Sequence, residues 1–232
     1  MKPWEVILQR ACTASGLNSS EWEQIAASVR ERAFFSAEVT STKILEEMKA
    51  NVIAMLKDGK SASEIRRDLR TMLFGEGYQP DEQWEGTIKD LRTKARLDVV
   101  IKTNTDQAKG YARLVRDTRA GAILAFPAYR FVRRQNRKAQ RDWATRWANA
   151  AKAVNFEGVA KNGEMIALKT SPIWETLSRF GTPYLPFDYN SGMGLQDVKK
   201  SYCREIGLLG EDEQPKVPKL PDFNESLKGE LK

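Results

Sequence analysis

Histidine is absent from all 232 residues. Imidazole moves protons most readily near neutral pH, so its absence excludes Ser-His-Asp and Cys-His catalysis, HNH-type nuclease chemistry and any zinc site needing imidazole. Cysteine is nearly absent: Cys12 and Cys203 stand alone, too far apart for a CxxC motif. Two lone thiols suit a reducing compartment, and each reads as a small packed side chain. Long apolar runs are also missing. The longest uncharged stretch of note, Ala120 to Tyr129, is half of what a bilayer helix needs. The opening MKPWEVILQR has too short an apolar run for a secretory leader. Neither a membrane span nor Sec secretion is expected.

Charge is plentiful, at 30% of residues, with a net excess of +7. Mean hydropathy is −0.55. The length suits one sizeable domain or two small ones, and can bury about seven tenths of the surface of the unfolded chain without disulfides or metal. The positive excess is confined. Residues 96–152 hold fourteen Lys and Arg against four Asp and Glu, whereas residues 1–95 and 153–232 are each slightly acidic. The densest part is Arg130, Arg133, Arg134, Arg137, Lys138, Arg141 and Arg146, with Asp142 the one acid among them. Arginine is the better phosphate fork, and such a focus favours salt-dependent contact with a polyanion. The alternative is a solvated face whose arginines pair with acids from the outer segments.

The apolar pattern predicts a helix over 41–57, with Ile44, Leu45, Met48, Val52, Met55 and Leu56 on one face, ended by Gly59. Ser61-Ala62-Ser63-Glu64 is a capping box opening a second helix with Ile65, Leu69, Met72 and Leu73, so the two form a hairpin. Pro80-Asp81 opens a longer helical pattern through Trp84, Ile88, Leu91, Ala95, Leu97, Ile101, Ala108 and Val115. It could run to Arg119, with Thr103-Asn104-Thr105 reading either as an Asn-mediated contact within the helix or as a polar break. After Pro127, alternation over Tyr129–Arg134 predicts a strand. Residues 140–153 look helical again. Gly158 and Asn162-Gly163 are turn signals flanking short β-like pieces, Met165–Leu168 among them. Pro183 to Gly194 reads as irregular structure, and the proline-punctuated, charged segment from Glu211 reads as an extended arm.

Candidate chemistry is sparse. Asp188 has no second acid at a spacing that forces proximity, and reads better as the cap of the turn Asp188–Gly192. Gly192-x-Gly194 is too short for a phosphate loop. Trp143 and Trp147 could stack bases beside arginines, but a spacing of four on a helix more often marks core.

The order of helical hairpin, long helix with VIKTNTDQAKGYARL, PAYRFV, and then SPIWETLSRFGTPYLPFDYNSGMGLQDV resembles the phage Mu F-like head morphogenesis family, the minor head proteins of tailed phages. The resemblance spans roughly residues 30–209. It is carried by Ile101, Thr103, Asn104, Ala108, Gly110 and Tyr111 on the helix. The second motif is the closing turn Tyr184-Leu185-Pro186-Phe187-Asp188-Tyr189-Asn190-Ser191-Gly192-Met193. Many members carry an R-x-x-H element after the strand and a Cys-x-Cys closing element. Here Arg137-Lys138-Ala139-Gln140-Arg141-Asp142-Trp143 has no His and the closing turn no Cys pair, so no metal or hydrolytic role is carried over.

The expected architecture is α+β: an N-terminal helical region (1–78), a core with a long helix on a small antiparallel sheet (79–210), and an extended arm (211–232). The resemblance implies a non-enzymatic virion protein at the portal vertex, without cofactor or metal, made in the host cytoplasm. Its implied partners are portal and capsid proteins. Sequence-independent DNA contact through the seven basic residues is expected beside them. Pro215, Pro218, Pro221 and Phe223 are expected to hold a neighbouring subunit, and no effector domain is expected after residue 232. Two alternatives are a metal-dependent nucleic-acid-processing enzyme and a toxin-associated module.

Overall fold

The computed structural model describes residues 1–136, 140–156, 163–218 and 220. They form an α+β protein of ten α-helices, a two-stranded parallel pair and a three-stranded antiparallel sheet. They divide into two compact units, residues 1–109 and residues from 110 onward. The division falls inside the long helix, whereas composition placed the limits at 78/79 and 210/211.

The first unit opens with α1 (Pro3–Gln9), β1 (Ala11–Cys12), α2 (Ser19–Gln24), α3 (Ala27–Arg32) and β2 (Ala33–Phe34), the strands pairing Ala11 with Ala33. None of these short pieces is legible in the hydrophobic pattern. The hairpin follows as expected, in α4 (Thr42–Asp58) and α5 (Ala62–Gly75). Gly59 closes α4 at φ 76°, a left-handed conformation that glycine adopts without a steric penalty. The capping box is reciprocal: the Ser61 hydroxyl accepts from the Glu64 amide, and the Glu64 carboxylate accepts from the Ser61 amide at 2.8 Å. Leu45, Met48 and Val52 of α4 and Ile65, Leu69 and Leu73 of α5 are buried.

The helix expected from Pro80 starts later. Glu82–Trp84 is a single 3-10 turn, and α6 runs from Lys94 to Asp117. Asp90 is the cause. Its buried carboxylate accepts from the Gly86 amide at 3.1 Å, the Arg92 amide at 2.9 Å and the Arg92 guanidinium. These local bonds offer the backbone an alternative to helix. Thr93 then caps α6 by accepting from the Arg96 amide. Of the two readings of residues 103–105, the contact is the one found: the helix is unbroken and the contact is local. Buried Asn104 donates back to the Val100 carbonyl at 2.9 Å, so its amide is satisfied inside an unbroken helix.

In the second unit, α7 (Ala120–Ala125) leads into β3 (Ala128–Arg133), followed by α8 (Trp143–Ala153), β4 (Ile166–Leu168), α9 (Ile173–Leu177), β5 (Met193–Val198) and α10 (Lys200–Glu205). The sheet order is β4-β3-β5, with Tyr129 opposite both Ala167 and Asp197. The last turns of α6 meet this sheet, Arg113 donating to the Leu195 carbonyl at 3.1 Å. The first two residues of β5, Met193 and Gly194, fall in the stretch read as irregular; the rest of β5 and α10 carry no sequence reading. One sheet face carries Tyr129 and Phe131 into an aromatic core with Trp143, Trp174 and Phe187. The other carries Ala128, Ile166 and Val198 onto Cys203 and Leu209. Burial pushes the Cys203 thiol up to about 11, keeping it protonated and unreactive. Trp143 is buried in the core, and partly buried Trp147 packs against it. Residues 211–218 carry no helix or strand, with Pro215 and Pro218 half-buried. Pro221, Phe223, Gly158 and Asn162 lie outside the described residues.

Candidate nucleic-acid interface

Five of the seven basic positions are described; Arg137 and Lys138 lie outside the described residues. Arg130 points off the middle of β3 into a protein pair, 3.0 Å from Glu164 and over the Tyr202 ring. Arg141 lies 3.2 Å from Asp188 and donates to the Tyr189 carbonyl at 2.8 Å. Arg146 projects from the first turn of α8. It meets Asp188 at 2.7 Å, donates to the Leu177 carbonyl at 3.1 Å and lies over the Trp143 ring. Arg133 is exposed at the end of β3 and has no acidic partner among the described residues. Arg134 lays its stem across Gly194, with its tip 3.5 Å from the Leu195 carbonyl. The segment therefore does not present all its arginines to solvent. Arg130, Arg141 and Arg146 are held by carboxylates of the same unit, while Arg133 and Arg134 meet none among the described residues.

The closing turn organises this arrangement. Asp188 is 5% exposed, and it accepts from the Tyr189 amide at 2.7 Å as a turn cap should. It also gathers Arg141 and Arg146, with Arg179 at 4.0 Å, a role no sequence signal announces because Arg179 comes from a separate segment. At the far end of the turn, the Gly192 carbonyl accepts from the amides of Arg134 and Gln135, both at 2.9 Å. Both ends of the basic segment are thus seated on residues 188–192.

The same turn receives α6. Gly110 lies directly against Leu185: a methyl group at position 110 would overlap the Leu185 carbonyl oxygen and come within 2.8 Å of its carbonyl carbon. Next to it, Tyr111 and Tyr184 meet edge to face, with ring centroids 5.4 Å apart. The two motifs that carry the family resemblance are therefore in contact across some seventy residues of chain.

A second charged cluster has no sequence signal. Buried Asp117 accepts from Arg113 at 2.8 Å, Arg116 at 2.9 Å and the Tyr129 hydroxyl at 3.0 Å. Lys169, 3% exposed, donates to the Asp117 backbone carbonyl and pairs with Asp197 at 2.8 Å. Burial works against the Asp117 charge, but the hydrogen bonds from Arg113, Arg116 and Tyr129 outweigh it and hold the carboxyl below its ordinary range. Burial, then the Asp117 charge, pushes the Tyr129 phenol well above its usual value. With the acid held ionised and the phenol held neutral, neither is poised to exchange a proton near pH 7. The cluster fastens α6 to β3 and β5.

Among the described residues, no three His, Cys, Asp or Glu side chains are grouped to hold a metal ion. No helix among them is long and apolar enough to cross a membrane. No protein-family model matches the chain, and neither does any curated protein or solved structure.

Proposed function

We propose that the chain is a non-enzymatic minor head protein of a tailed phage. It acts at the portal vertex in capsid assembly and in DNA packaging or ejection, and is carried in the virion after assembly in the host cytoplasm. The observation that supports this reading best is the contact between its two family-like motifs. Gly110 and Tyr111 on the helix fit against Tyr184 and Leu185 of the closing turn. Two short motifs that co-occur by chance have no reason to build one joint.

In this reading the basic residues seated on that turn contact the DNA backbone without reading its sequence, through Arg133 and Arg134 first. Arg137 and Lys138 follow them in the chain. Portal and capsid proteins are the protein partners. The test is a variant with Arg133, Arg134, Arg137 and Lys138 all changed to Gln. It should lose most of its affinity for random-sequence duplex DNA while its melting temperature stays within a few degrees. Intact DNA binding in that variant, with binding to the portal protein lost, would reassign the segment to protein docking. Absence of the chain from purified particles of the phage encoding it would overturn the virion role.

A further inference from the structure

A different surface, in the first unit, has the chemistry of a phosphate site. An open groove of about 490 Å³ is lined by Ser63, Arg66, Arg67, Arg70 and Thr71 of α5 and by Lys94 at the start of α6. The lining is four cations and two hydroxyls, without a carboxylate. Arg66 is anchored by Asp98 at 2.5 Å, and Arg67 touches Asp68 at 3.2 Å. Arg70 donates to the Arg92 carbonyl at 2.8 Å, which orients its guanidinium without neutralising it. Neither Arg70 nor Lys94 meets a carboxylate among the described residues.

The spacing adds to this. Ser63, Arg67, Arg70 and Thr71 recur at three- and four-residue intervals, so they share one face of the helix. Arg66 and Arg70, four apart, repel each other on the helix that carries them, a crowding of like charge that a bound polyanion would relieve. The same face continues to Phe74, which is 86% exposed, one turn beyond Arg70 and Thr71. Leu69 and Leu73 of the same helix are buried, so Phe74 lies outside the apolar stripe that packs.

We propose that this face of α5 binds single-stranded nucleic acid. The four cations and the Ser63 and Thr71 hydroxyls take the phosphodiester backbone, and Phe74 stacks on a base. Successive rows of cations are one helical turn apart, about 5.4 Å, which suits a chain of separated phosphates in an open groove. An acidic peptide would account for the arginines but leaves the exposed phenyl ring without a role. A nucleobase accounts for both, since stacking on an aromatic ring needs no particular sequence.

The test uses the full chain carrying Arg133→Gln and Arg134→Gln, so that the other basic surface is muted. Binding of a labelled twelve-residue oligothymidylate is followed by anisotropy across a salt series. Adding Arg67→Gln, Arg70→Gln and Lys94→Gln should lower the slope of log affinity against log salt by about 2, at roughly 0.7 per phosphate contact on a single strand. If that variant melts early, Arg67→Gln with Lys94→Gln carries the test, with an expected drop of about 1.4. Phe74→Ala should weaken oligothymidylate binding roughly tenfold and leave an abasic strand of equal length unaffected. An unchanged slope in a folded variant overturns the proposal. So does a Phe74→Ala variant that binds both strands as before, or a charge variant that loses only poly-glutamate.

Discussion

The two basic regions of this protein are more alike in unpaired charge than their sequences suggest. Residues 130–146 hold the densest run of positive charge in the chain, yet three of the five described cations there are held by Glu164 and Asp188. The stretch containing α5 sits in a slightly acidic segment, yet its face leaves Arg70 and Lys94 without carboxylate partners among the described residues. Linear charge density counts residues, whereas an interface needs charge that the fold has not already neutralised. A buried carboxylate such as Asp188 holds its arginines more firmly than an exposed glutamate would, because screening by water weakens exposed pairs.

The comparison breaks most severely at Gly110, because the first region depends on a turn seated against that residue and α5 does not. Gly110→Ala sets a methyl group against backbone atoms of Leu185, which cannot swing aside as a side chain would. The expected loss is about 3 kcal/mol, a fall in melting temperature of roughly 6–12 °C. Calorimetry of the purified variant checks it, and a melting temperature within 2 °C of the parent would show that the joint is loose.

Asp188→Asn is next in size and separates stability from binding. It removes the shared counter-charge of Arg141 and Arg146, both about a third exposed. The cost is therefore about 2 kcal/mol rather than that of a fully buried pair. The released arginines should tighten binding to duplex DNA, steepening the salt slope by up to about 1.8. A less stable protein that binds DNA more tightly is the expected signature. Weaker binding would mean that the turn itself, rather than the charge, makes the contact.

Acid sharpens the same contrast at Asp117. A carboxyl held below its ordinary value in the folded state contributes stability that is full above the unfolded value, about 3.9, and is lost as pH falls through the folded one. Asp117→Asn should thus be less stable than the parent at neutral pH, and the gap should narrow below about pH 4. Denaturation curves at pH 7, 4 and 3 measure it, and a gap that holds constant would exclude this ionisation as the source.

The hairpin of α4 and α5 was legible because its stop, cap and apolar face are local signals: Gly59, Ser61 with Glu64, and a stripe at helical spacing. The strand β3 was legible from alternation. What could not be seen depends on side-chain geometry, with partners both near and far in the chain. Asp90 diverts the helical pattern through a web of local bonds whose strength over helix is a matter of geometry. Asn104 reads as a contact or as a helix breaker until its amide finds the Val100 carbonyl. The basic segment was visible as composition, but the gathering of Arg141, Arg146 and Arg179 on Asp188 joins three separate stretches. The α5 groove needed the same three-dimensional information, since Lys94 reaches it from another helix.

The smallest effect expected is at Gly194, and it tests whether Arg134 is held against the sheet or only rests there. A methyl group at this position of β5 would come 2.5 Å from the Arg134 Cγ. Unlike the carbonyl facing Gly110, that atom belongs to a flexible side chain that can move away. Alanine also gains about 0.5–1 kcal/mol over glycine inside a strand by reducing the freedom lost on folding. The two contributions should nearly cancel, leaving Gly194→Ala within about 0.5 kcal/mol of the parent. A double-mutant cycle separates them. With Arg134→Ala already in place there is no stem to displace, so Gly194→Ala should then stabilise by about 0.5–1 kcal/mol. In the parent, the displaced guanidinium gives up the Leu195 carbonyl for solvent. The salt slope for duplex DNA should therefore rise by no more than about 0.9. If the two substitutions prove additive, Arg134 is not held on β5, and its charge is as free as that of Arg133 from the start.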